Sequence, residues 1–160
     1  MLHAMVDEKH VEHLKLPDSA RYVFEECRMV LPGIQALFGF QMISVFNQGF
    51  SQKLTLTQQK LHGVAIVFVV AAIGLIMAPA ALHRRAESNS VSERFIQVAS
   101  RLVLSAMLLL ATALSLDMFI VSRIIWADET EAIVLSIVFF GFFITLWEIY
   151  PALYRRSSKQ

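Results

Sequence analysis

The chain has a single cysteine in 160 residues, four prolines, and few charges: 14 Lys and Arg against 13 Asp and Glu, for a formal net charge of +1. Each shortage excludes something. Cys27 cannot close a disulfide within the chain, and a lone thiol fits a reducing cytoplasmic face better than an oxidising one. A charge near zero provides no global basic field for nucleic acid, so Lys and Arg act through position. The sequence has no His-Glu-x-x-His run and no glycine loop of the phosphate-cradling kind. No Ser, Cys or Thr stands in a pattern with a base, so the expectation is not an enzyme and no resident cofactor. Haem ligation by His83 would need a second axial ligand at the same depth, and His62, the other histidine near a span, is expected at the opposite interface. Met1 to Pro17 carries charges and histidines but no apolar core, which excludes a cleavable signal peptide. His10 and His13, with His3, Glu8 and Glu12 nearby, have a spacing that can hold a transition metal; a solvated N-terminal segment accounts for the same residues.

What the chain has in excess is apolar: 56% of its residues are hydrophobic, and the mean hydropathy is +0.58. These residues fall in blocks long enough to cross a hydrocarbon layer, which takes ~20 helical residues. The expected fold is all-α, an integral membrane four-helix bundle, with a polar segment at 1–18, a membrane domain at 19–156 and a polar tail at 157–160. Span one is placed at Met29 to Phe50, on a helix starting after Pro17, with Asp18 or Ser19 as its cap. Span two runs from Gly63 to Leu82, and Val64 to Ala81 carries no charge. Span three lies on a helix opened by Ser90-Val91-Ser92-Glu93, a capping-box pattern, and ends near Trp126. Span four follows a second such pattern, Asp128-Glu129-Thr130-Glu131, and covers Ala132 to about Leu153.

Arg84, Arg85 and Arg94 lie between spans two and three, Arg155, Arg156 and Lys159 lie at the C-terminus, and the Trp126 to Glu131 connection is acidic. Short cytoplasmic loops collect Lys and Arg, so both termini are expected in the cytoplasm, with the lipid bilayer as the first partner. Trp147, Tyr150 and Tyr154 at one end and Trp126 at the other suit interfacial belts.

Polar residues inside the spans are the candidate functional positions. Glu26, Arg28, Arg101 and Glu148 fall at similar depth near the cytoplasmic boundary, with His83 and Arg84 at the interface itself. They serve either as snorkelling anchors or as a buried ion-pair network of Glu26, Arg101 and Glu148. Asp117 stands in the outer part of span three and needs a partner or water; Asn47, Gln48 and Arg123 are candidates. Gln35 and Gln41 make span one the least lipophilic, which suits a place inside the bundle or at a subunit interface. Small residues align on span two (Ala71, Gly74, Ala78), on span four (Gly141, Thr145, Glu148) and on span three (Ala99, Ala106, Ala113, Asp117), where a polar stripe of Arg101, Ser105, Thr112, Ser115 and Ser122 also runs. One such stripe is expected to pack within the subunit and another against a second copy.

The pattern Glu26-x-Arg28-x-x-Leu31-Pro32-Gly33-x-Gln35-x-Leu37-Phe38-x-Phe40, then Phe46 and Phe50, then Ala78-Pro79-Ala80-Ala81-x-His83-Arg84, resembles a family of small bacterial four-span proteins of unknown function. The resemblance runs from about Arg21 to Arg156 and includes Arg101 and Trp147 to Pro151. Some members carry automatic labels as sodium:proton antiporters, although the chain lacks the repeat-built length of secondary transporters. The resemblance implies ion handling in a bacterial inner membrane and singles out Glu26, Arg28, Pro32, Gly33, Gln35, His83 and Arg101. The functional expectation is a homo-oligomer, cyclic in arrangement, that conducts or transports a small ion, a cation or proton; the alternative is a non-catalytic scaffold or accessory subunit of a larger membrane complex.

Overall fold

The structure is a computed structural model that describes residues 15–86, 90–126 and 128–157. The histidine-bearing residues 3–13 and the last three residues lie outside this range. Six helices follow in order: α1 (Leu16–Val45), α2 (Gln48–Lys53), α3 (Leu56–Ala86), α4 (Glu93–Trp126), α5 (Glu129–Ile144) and α6 (Tyr150–Ser157), with a π-helical turn, Thr145–Ile149, joining the last two. No strand occurs among the described residues. Among the described residues, three helical runs are long and apolar enough to cross a membrane: α3, α4 and the continuous stretch Glu129–Ser157. α1 is not among them. Its 30 residues give about 45 Å of helix, so composition rather than length sets it apart: Glu25, Glu26 and Arg28 precede its apolar part, and Gln35 and Gln41 interrupt it.

Local chemistry explains where the helices start. Pro17 fits the first turn of α1, where an N–H would lack a partner anyway; Lys15 occupies the cap position without a side-chain cap bond, so neither Asp18 nor Ser19 has the expected role. α3 begins seven residues before the expected Gly63, because Thr55 and Gln58 form a reciprocal capping box: Thr55 N donates to Gln58 Oε1 (2.9 Å), and Gln58 N to Thr55 Oγ1 (3.3 Å). For α4 the cap is Ser92 rather than Ser90, its Oγ accepting from Phe95 N at 3.1 Å. α1 stops at Val45, short of Phe50, and Asn47 caps α2 by accepting from Gly49 N.

Asp128 caps α5 as expected, accepting from Glu131 N at 3.0 Å. The backbone N–H groups of Glu131 and Thr130, with a smaller contribution from the Arg123 charge, hold its carboxyl below the usual carboxylate range. A lowered folded pKa adds stability above the unfolded value, and this is lost as pH falls through the folded one. Asp128→Ala is therefore expected to lower the thermal midpoint in detergent at about pH 7 and to have a smaller effect near about pH 3, where the carboxylate's advantage is being lost. Asp128→Ser should restore much of the difference; equal effects at both pH values would contradict the assignment.

α4 is the centre of the bundle, packing against α3, α5 and α1. The core interleaves Ala65, Val69, Ala72 and Ile76 of α3 with Ala106, Leu110 and Ala113 of α4 and Ile34 of α1. Small side chains let these backbones approach closely, which matters because lipid tails provide little hydrophobic drive between helices. A second cluster, Ala20, Phe95 and Ala99 with Phe24 and Val91, closes the end where α1 and α4 begin. The expected Ala99, Ala106, Ala113 stripe thus faces inward, while Ala71 and Gly74 of the α3 stripe face away from the chain. The last helical run presents Ile133, Val134, Ile137, Val138 and Phe142 outward, as a lipid-facing surface would.

The π-helical turn has a local cause. Pro151 lacks an N–H, and its ring would clash with the Trp147 carbonyl in a regular α-helix. The wider turn, closed by Tyr150 N on Thr145 O, accommodates it.

Candidate functional site

α1 and α4 end, and α3 begins, at the same end of the bundle, and four polar side chains meet there. His62 lies six residues into α3, one helical face with Ala65, Val69 and Ala72, and is buried with them. Asp117 sits nine residues before the end of α4, about 14 Å along the helix. Gln41 and Ser44, three residues apart on the last turn of α1, complete the group.

Asp117 Oδ1 lies 3.2 Å from His62 Nδ1, and Asp117 Oδ2 accepts from Gln41 Nε2 at 2.6 Å. The side chains are only 8% (His62) and 20% (Asp117) exposed. On the other side of the ring, His62 Nε2 is 2.9 Å from Ser44 Oγ and 3.1 Å from the Gln41 carbonyl oxygen, to which Ser44 Oγ donates at 2.7 Å. Phe50 of α2 packs its ring on His62 at a centroid distance of 5.4 Å. Gln41 Oε1 is buried without a partner.

The heavy atoms satisfy two inventories of hydrogen. With one proton on the ring, Nδ1–H donates to the carboxylate and Nε2 accepts from Ser44. With two, Nε2–H donates to Ser44 Oγ or the Gln41 carbonyl, and the Ser44 hydroxyl turns to that carbonyl. Only a hydroxyl rotation separates them. Gln41 adds a second adjustable partner: its amide faces Asp117 through nitrogen as donor to a carboxylate, and a half-turn would present oxygen as acceptor from a carboxylic acid.

Of the residues expected from sequence, Gln41 and Asp117 are brought together here, and His62 and Ser44 join them unforeseen. The partners of Asp117 are Gln41 and His62, not Asn47, Gln48 or Arg123. The signal for His62 lay in its period: it heads the buried α3 stripe, and Asp117 continues the α4 stripe of Ala99, Ala106 and Ala113. The other candidates are dispersed. Gln35, Arg28, Arg84, Glu26 and Arg101 are exposed on the chain and Glu148 is half-buried. No ion pair joins Arg101 to Glu26 or Glu148 among the described residues. Glu26 edges a small cavity of about 200 Å³ with Cys27, Met107, Leu110 and Trp147. His83 is held between Phe24 and Phe95, at centroid distances of 5.4 and 5.6 Å.

Long apolar helices around a buried polar cluster define an all-helical membrane protein. The chain belongs to the family of unknown function DUF6328, which it matches over residues 18–151. No curated protein and no solved structure matches it.

Proposed function

We propose that this protein is a small proton-handling membrane protein in which the His62–Asp117 pair takes up and releases the proton, and that it works as a homo-oligomer in a bacterial inner membrane. The observation that carries this reading is the cluster's capacity to satisfy every hydrogen bond of His62 in either of two protonation inventories while shielded from water. An ionisable pair within a span is costly to keep and is found where protons or ions move. α1 crosses beside α3 and α4 as a fourth span, its Gln41 amide turned to protein, and the Lys and Arg bias puts both termini in the cytoplasm.

The same bonds also favour a second reading. The cluster ties α1, α3 and α4 together, which is what a scaffold needs. Asp117→Asn separates the two, since an amide keeps the shape and one acceptor but cannot take the proton. In proteoliposomes loaded with a pH-sensitive dye, wild-type protein should relax a pH gradient faster than protein-free vesicles, and Asp117→Asn should slow this at least tenfold with the oligomer intact. Wild-type vesicles as tight as empty ones would leave the scaffold standing.

A further inference from the structure

The opposite end of the bundle carries a different arrangement. Between the start of α1 and the end of α3 lies a chamber of about 550 Å³ whose polar lining is Arg21, Glu25, Arg28 and His83. Arg21 is committed to Glu25 at 2.9 Å, and that pair is neutral. Arg28 has no hydrogen bond or ion pair with a described residue, so its guanidinium donors are available to an anion. The His83 ring, fixed between Phe24 and Phe95, forms part of the chamber wall, with its Nδ1 enclosed on the protein side.

Below the chamber the lining turns apolar. A groove of about 410 Å³ shares Phe24 and Arg28 with it and continues over Cys27, Leu31, Ile76 and Met77. Met77 and Ala80 then lead to a third depression edged by Arg84 and Arg85. From His83 back to Ile76 is seven residues of α3, about 10 Å along the bundle side. A cationic chamber opening into an apolar groove on a lipid-facing flank has the two-part chemistry of one ligand class: a phosphate headgroup with an acyl chain.

We propose that the α1–α3 flank binds one anionic phospholipid, with its phosphate at Arg28, beside the His83 ring, and an acyl chain along Leu31, Ile76 and Met77. Headgroup charge is selected because Glu25 already neutralises Arg21, leaving Arg28 as the one cation among the chamber's described residues free to attract an anion. This site is separate from the His62 cluster and does not rest on the proposed proton handling.

The test is native mass spectrometry of the full chain in detergent, titrated with phosphatidylglycerol or with phosphatidylcholine of identical chains. One phosphatidylglycerol per chain should be retained, with about fivefold preference, the value of one near-surface basic charge. Arg28→Gln, an exposed change that threatens no packing, should abolish that preference, and Ala80→Phe should weaken retention of both lipids. Equal retention of the two lipids, or a preference indifferent to Arg28→Gln, would overturn the proposal. Glycerol phosphate competing as well as the intact lipid would also overturn it, by making the ligand a soluble phosphate.

Discussion

His62→Leu should destabilise the protein by about 2–4 kcal/mol, and adding Asp117→Leu should restore at least half of that. The reason is an asymmetry. Interhelical hydrogen bonds in membranes average only about 0.6 kcal/mol, so the lost bond alone is a small effect. The larger cost comes from the carboxylate left in a shielded site with Gln41 as its one remaining side-chain partner. Removing one member of a buried pair costs roughly 3–5 kcal/mol in soluble proteins, whereas replacing both by apolar groups is often close to neutral. Asp117 keeps 20% of its side chain exposed, which places the expected loss below the top of that range. Reversible unfolding in mixed micelles gives the three free energies. A double variant no more stable than His62→Leu would show that Asp117 does not depend on the imidazole.

Ala106→Leu is expected to cost about 3 kcal/mol, towards the upper end for added methylenes in a packed interior. Ala106 is fully buried where α4 meets Ala65, Val69 and Ala72 of α3, and all four are at 0% exposure. The added carbons force the two backbones apart along a seam that depends on close approach, and the lost dispersion contacts run the length of that seam. Ala71→Leu provides the contrast. Ala71 faces away from the chain, so the same change there should leave the fold's stability within about 0.5 kcal/mol. Thermal midpoints in one detergent compare the pair, and equal losses would overturn the assignment of faces.

How much of this was readable from the chain differs by element. The all-helical class, the end of α4 at Trp126 and the Asp128 cap followed from hydropathy and capping chemistry. The start of α3 did not, because hydropathy marks where the lipid begins and not where the helix does. Gln58, Gln59 and Lys60 are too polar for hydrocarbon, yet the Thr55–Gln58 box winds them into the same helix. Placing the boundary at Gly63 left His62 in a connection, outside the reach of Asp117. The network alternative for Glu26, Arg101 and Glu148 rested on depth, and depth is blind to direction. Arg101 is two residues from both Ala99 and Val103, about 200° around the helix from each; since those two are buried, it is carried to the outer side.

The π-helical turn at Thr145–Ile149 shifts the angular phase of everything after it. One additional residue in the turn retards the following side chains by about 100°. A helical wheel drawn unbroken from Glu129 to Ser157 therefore mislabels its final two turns. Gly141, Thr145 and Glu148, which share a face on such a wheel, do not form one stripe: the first two are exposed, while Glu148, within the π-helical turn, is half-buried. Tyr154 and Arg155 likewise stand at an azimuth that uninterrupted periodicity would have given to their neighbours.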